Sequence, residues 1–221
     1  MIEAGFGVSI PRLYAYHRAL REALAEGRST ITSTELARLL GESAAPAQIR
    51  KDLCALGALG RRGHGYAMKP LCTHLAFVLG LERDWRIVIA GFGYLGHAFA
   101  AFITAREPRF SVRAIFDASP SVIGQEWQGV RVSAITDAKR VLKDACCDIA
   151  AIAVPAPAAA EVADTLLGCG IHAILNFAPT RLRLQRKNGE NVVVRNIDLA
   201  GELSVLTHRL ATVALAQIEE A

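Results

Sequence analysis

Leu13, Tyr16, Leu20 and Leu24 recur every three or four residues, so residues 12–26 are read as an amphipathic helix that Gly27 ends. Thr30-Ile-Thr-Ser-Thr-Glu35 then offers capping hydroxyls, with Ser33 or Thr32 as cap and Glu35 in the first turn, before Leu36, Leu39 and Leu40. Gly41 stops this second helix. Pro46 opens a third over 47–56, whose apolar stripe is Ile49, Leu53 and Leu56; Gln48, Arg50, Lys51 and Asp52 fall on its other faces. From Trp85 the period changes. Apolar runs at 86–90, 112–116, 148–154, 172–177 and 192–197 read as strands, and helical patterns at 95–106, 136–146 and 158–168 are long enough for right-handed parallel crossovers. Residues 199–220 close the chain with a seam of Leu199, Leu203, Leu206, Leu210 and Val213, which packs either on its own sheet or on a second copy.

The expected organisation is a small helical domain over 1–84, an α/β domain with a doubly wound parallel sheet over 85–198, and a dimerisation helix over 199–221. Two helices joined by a tight loop, with long polar side chains early in the second, fit a helix-turn-helix, although any three-helix bundle shares the pattern. Leu59-Gly-Arg-Arg-Gly-His-Gly-Tyr66 suits a β-hairpin wing that places Arg61 or Arg62 against phosphates or a narrow minor groove.

The chemistry centres on Arg86-Ile-Val-Ile-Ala-Gly91-Phe92-Gly93-Tyr94-Leu95-Gly96, a strand running into a G-x-G-x-x-G turn that opens a helix. The first glycine makes the turn, the second admits a pyrophosphate and the third lets helix and strand pack closely. The diphosphate would sit on the positive end of the helix. Asp117 ends the second strand about 20 residues on, where an acid accepts ribose 2′-hydroxyl bonds and repels a 2′-phosphate, so NAD is favoured over NADP; alternatively it caps a turn. Val154-Pro155 and Asn176-Phe177-Ala178-Pro179 fall at C-terminal strand ends, and either hold the nicotinamide half or simply end strands. No His–Asp pair, Ser–Tyr–Lys set or arginine clamp stands at these ends, which makes binding without catalysis the simpler reading.

Charge changes the picture of the first domain. Residues 47–69 hold Arg50, Lys51, Arg61, Arg62 and Lys69 against the single acid Asp52, which accounts for the whole net charge of +4. A basic patch on a neutral body fits a polyanion partner or a solvated surface. The five cysteines lack metal spacing and are expected to be buried thiols, with no metal site. No apolar run approaches the roughly 20 residues of a membrane span, and Met1-Ile-Glu-Ala-Gly lacks the order of a signal peptide, so a cytoplasmic location is expected.

The chain from about Arg12 to Leu210 resembles the redox-sensing transcriptional repressors of the Rex family. The resemblance rests on Glu35-Leu-Ala, Gln48-Ile-Arg-Lys-Asp-Leu53, Gly60-Arg-Arg-Gly-His-Gly-Tyr66, Gly91-Phe-Gly-Tyr-Leu-Gly96, Phe116-Asp117, Ala153-Val-Pro155, Ile174-Leu-Asn-Phe-Ala-Pro179 and Asn196-Ile-Asp198-Leu. It implies a winged-helix domain, a Rossmann domain sensing the NADH/NAD⁺ ratio, and a homodimer with swapped terminal helices that releases palindromic double-stranded operator DNA when NADH binds. The implied DNA-binding residues are Gln48, Arg50, Lys51, Arg61, Arg62, His64 and Tyr66. Arg12 and Asp198 match a charge pair joining the first helix to the swapped region. This sequence departs from the family in a longer turn at 41–48, in Phe102 where tyrosine is common, and in Leu56-Gly-Ala-Leu59, which replaces a phenylalanine-rich segment. The rival reading is an NAD-dependent enzyme, or a CoA-binding subunit, with the N-terminal helices as an oligomerisation cap.

Overall fold

The computed structural model describes residues 8–41, 44–58, 60, 64–183 and 191–219, and the chain divides into two compact units, Met1–Arg83 and Asp84–Ala221. The first unit contains α1 (Ile10–Ala25), β1 (Thr30–Ile31), α2 (Ser33–Leu40), α3 (Pro46–Ala55), β2 (Tyr66–Ala67) and α4 (Met68–Val78). Its core is the set the periodicity marks, with Leu13, Tyr16, Leu20, Leu36, Ile49 and Leu53 all at 0% exposure. Thr32, not Ser33, caps α2. Its hydroxyl accepts the Glu35 N–H at 3.1 Å while the Glu35 carboxylate accepts the Thr32 N–H at 2.7 Å, a reciprocal capping box. Thr32→Ala is expected to cost about 1 kcal/mol in urea unfolding.

The wing expected over 60–66 runs through 61–63, which lie outside the described residues. Its end, β2, pairs antiparallel with β1, Thr30 against Ala67 and Ile31 against Tyr66. Gly65 lets this happen, since at φ +73° a Cβ there would strike the Ile31 carbonyl. Helix α4 was not expected, although Met68, Leu71 and Leu75 have helical spacing and are buried. Pro70 reads as a breaker, but it lies in the first helical turn, where its missing N–H costs nothing.

The second unit runs β3 (Trp85–Ala90), α5 (Tyr94–Arg106), β4 (Phe110–Asp117), β5 (Glu126–Trp127), β6 (Val130–Ala134), α6 (Ala138–Ala145), β7 (Ile149–Ile152), α7 (Ala156–Gly168), β8 (Ala173–Asn176), β9 (Val193–Asn196) and α8 (Leu199–Glu219). The sheet order is β5-β6-β4-β3-β7-β8-β9, parallel except at β5–β6. The chain winds outward from β3 in both directions, and this puts the topological switch point, where ligands bind in such sheets, at the C-terminal ends of β3 and β7. Successive residues alternate between two apolar layers. Val88, Ala90, Ala114 and Phe116 face Leu142, Val162 and Leu166 on α6 and α7, whereas Ile87, Ile89 and Ile115 face Ala100 and Ile103 on α5. Strands β5 and β6 were missed, so β4 is followed by a hairpin rather than by a helix. In β6 the exposed Arg131 separates the apolar Val130 and Val132, which hides a short strand in the pattern.

Leu199, Leu203, Leu206 and Leu210 of α8 are exposed, so within this chain the seam does not lie on its own sheet. The cysteines are not buried thiols: Cys54 and Cys146 are exposed and Cys72, Cys147 and Cys169 partly covered. Burial pushes the Cys147 thiol up to about 12, which keeps it protonated. No helix among the described residues is long and apolar enough to cross a membrane.

Candidate functional site

Each glycine of the 91–96 turn meets a different constraint. Gly91 sits at φ +92°, and a Cβ there would strike the Ala153 carbonyl; a Cβ on Gly96 would collide with the Gly91 carbonyl oxygen. These two glycines are required by the chain itself. A Cβ on Gly93 would meet nothing within 4 Å. That open side lies at the N-cap of α5, where no side chain caps the helix and no acid occupies the first turn, as a site for an anion requires.

A cavity of about 390 Å³ opens beside this turn, lined by Gly91, Gly93, Asp117, Val154, Pro155 and, from α7, Glu161 among others. Asp117 holds the turn in shape: its Oδ2 accepts the Phe92 N–H at 2.6 Å and its Oδ1 accepts the Ser119 N–H at 2.8 Å. Each oxygen keeps a lone pair, so the carboxylate can brace the loop and still accept a ribose hydroxyl. Val154 and Pro155 lie just past the end of β7, which is shorter than expected. The contribution of α7 through Glu161, Val162 and Thr165 was missed.

The remaining expected cofactor residues do not line this cavity. Tyr94 is 100% exposed and Leu95 is exposed, while Phe92 packs against His97 and Trp127 at ring distances of 5.4 and 6.1 Å. Asn176, at 0% exposure, donates to the Thr180 carbonyl at 2.7 Å and to Asn196 Oδ1 at 2.8 Å, and accepts the Ala178 N–H at 3.1 Å. It ties together the turn after β8, which is a structural duty. Phe177 packs on Phe99 at 5.2 Å, Ala178 is buried, and Pro179 is exposed beside them.

In the first unit the candidate site is α3. Arg50 is exposed and its Nη1 donates to Ser33 Oγ at 3.0 Å, while Lys51 and His64 are exposed. Arg61 and Arg62 lie outside the described residues, as do 42 and 43 of the longer turn. Tyr66 is half-buried against the core. Asp52, expected on a polar face, is 1% exposed. It accepts from Arg12 Nε at 2.9 Å and Nη2 at 3.0 Å, from the Tyr16 hydroxyl at 2.9 Å and from Gln48 Nε2 at 2.7 Å. Burial alone would raise the Asp52 carboxyl, but these donors hold it below its ordinary value of 3.8. Burial and the bond to Asp52 push the Tyr16 phenol up to about 12. Arg12 is therefore engaged inside its own unit. Asp198 likewise accepts the Gly201 N–H at 2.8 Å at the start of α8.

Residues 8–54 match the family described as putative DNA-binding protein N-terminus, and residues 82–180 the CoA binding domain. The redox-sensing transcriptional repressor Rex of Desulfitobacterium hafniense is 41% identical over 92% of this chain and 94% of that protein. Its counterpart in Syntrophomonas wolfei is 39% identical, again over 92% and 94%. The chain belongs to the Rex family of redox-sensing transcriptional repressors. The CoA-binding match falls almost wholly within the second unit and stops at residue 180, whereas the Rex likeness extends through both units. RSP, a Rex-family repressor in complex with β-NAD⁺ and operator DNA, superposes with a TM-score of 0.84 at 31% identity, covering 96% of this chain and 97% of RSP. RSP in complex with β-NADH gives 0.80 at the same identity, covering 95% and 97%.

Proposed function

We propose that this Rex-family chain is an NADH-responsive repressor that binds a palindromic operator as a homodimer and leaves it when NADH binds. The observation that carries the reading is the open side of Gly93 at an uncapped helix start, in a chain whose other unit is a basic helical domain. In this reading α3 enters the major groove, with Gln48, Arg50 and Lys51 near its start, and the segment holding Arg61, Arg62 and His64 reaches the phosphates. Asp117 and Glu161, both in the lining of the cleft, repel a 2′-phosphate, which selects NAD(H) over its phosphorylated form. Apart from these acids and Thr165 the cleft is lined by apolar side chains and backbone, which suits a ligand that is a signal and not a reagent. The exposed leucines of α8 supply the swapped dimer surface, and Asp198 competes with Asp52 for Arg12 as the dimer changes state.

Operator mobility shifts with α3 variants test the DNA half. Arg50→Ala is expected to weaken operator binding by about 1–3 kcal/mol and relax base preference, and Lys51→Ala to lower the salt slope by about 1. Unaltered binding by both variants would remove α3 from the recognition surface.

A further inference from the structure

The second unit has another large cavity, of about 900 Å³, along the edge of the sheet beside α6 and away from the glycine turn. Three arginines and two acids line it: Arg113 from β4, Arg131 from β6, and Arg140, Asp137 and Asp144 from α6 and the turn before it. Arg113 reaches this face through a bulge, because Ile87 pairs with Val112 but Val88 with Ala114, leaving Arg113 as the extra residue. Bulges between parallel strands are rare and serve to re-aim a side chain. Arg131 stands on the adjoining strand, one position before the Val132 that pairs with Ile115. Among the described residues neither Arg113 nor Arg131 has a hydrogen bond or ion pair, while Arg140 meets Asp137 at 3.4 Å. Two guanidinium groups on neighbouring strands thus line one cavity with their donors unengaged by the described residues.

A second, independent observation is Gln128. It lines the same cavity and holds φ 47° in the tight turn between β5 and β6, ahead of Gly129 at φ 82°. A two-residue primed turn requires positive φ at both central positions, and asparagine or glycine meets that requirement with less strain than glutamine. Relative to asparagine, glutamine adds only a longer amide on a residue that lines the cavity.

We propose that this cavity binds a phosphorylated, hydroxyl-bearing small molecule, its phosphoryl group between Arg113 and Arg131 and its hydroxyls donating to Asp137 and Asp144. The two acids exclude a bare polyanion as the best ligand, since the lining carries three cations against two anions. They instead provide acceptors for a sugar diol. A volume near 900 Å³ holds a sugar phosphate or a mononucleotide.

The test is calorimetric titration of the full chain at saturating NADH, which fills the dinucleotide cleft. The titrants are ribose 5-phosphate, inorganic phosphate, ribose and AMP. Ribose 5-phosphate is expected to bind saturably, phosphate more weakly and ribose not at all. Tighter AMP binding would identify the ligand as a nucleotide, and equal binding a sugar phosphate. Arg113→Ala should lower affinity by at least about tenfold, the loss of a charge-assisted contact. Gln128→Gly, which relieves the turn and so keeps the fold, should also weaken the ligand, with NADH affinity unchanged in both variants. Absence of saturable binding by both ribose 5-phosphate and AMP overturns the proposal, as does wild-type affinity in both variants.

Discussion

Gly93→Val is expected to remove NADH binding while leaving the fold intact. Gly93 lies at φ −73°, which valine adopts without strain, and its Cβ would meet no atom of the chain. The stability change should stay below about 0.5 kcal/mol in urea unfolding. The valine methyls would nevertheless occupy the space at the start of α5 where a diphosphate must approach the free N–H groups. A loss of affinity of at least about 100-fold, or 2.7 kcal/mol, should follow in a fluorescence titration with NADH. Gly96→Ala gives the contrasting result, because its methyl collides with the Gly91 carbonyl and the packing of α5 on β3 must give way. It should lower stability as well as affinity. Wild-type NADH affinity in Gly93→Val would mean that the diphosphate does not lie on this turn.

Asp52→Ala is expected to have the largest effect on the first unit. The carboxylate joins α1 to α3 by accepting from Arg12, Tyr16 and Gln48. Its removal leaves the Tyr16 hydroxyl without a partner in a fully buried residue and the Arg12 charge uncompensated. Breaking a buried pair in this way costs about 3–5 kcal/mol, and the value should fall at the lower end because water reaches the partly exposed Arg12 side chain. Operator binding should fall with it, since α3 loses the contacts that fix its angle to α1. Acid acts on the same network. Because the folded protein holds Asp52 below 3.8, the stabilisation is fully present above about pH 4 and is lost as pH falls through the folded-state value. Stability should therefore drop on acidification in the wild type, with a flatter profile in Asp52→Ala. A cost below about 0.5 kcal/mol would show that Asp52 does not hold these helices together.

Much of this fold is legible in local sequence because its determinants are local. Leu13, Tyr16 and Leu20 repeat at helical spacing and form the core of the first unit; Gly91 and Gly96 occupy positions where backbone contacts exclude any side chain. The unread features depend on distant partners. Asp52 looks like a solvent-facing residue until Arg12, 40 positions earlier, supplies its counter-charge. Asn176 looks like a ligand at a strand end, yet its bond to Asn196 makes it a brace. Strand β6 is hidden because its apolar run is only five residues long and is broken by the exposed Arg131. The role of α7 in the cleft is set by where the sheet places that helix, which residue spacing does not encode.

Release of a palindromic, AT-rich operator by the reduced dinucleotide is the measurement that bears most directly on the coupling of the two units. In a mobility-shift titration at fixed, modest salt, micromolar-scale NADH is expected to dissociate the complex, while equal NAD⁺ leaves it bound. Operator binding unchanged at saturating NADH would contradict a sensor that works by ligand-driven release.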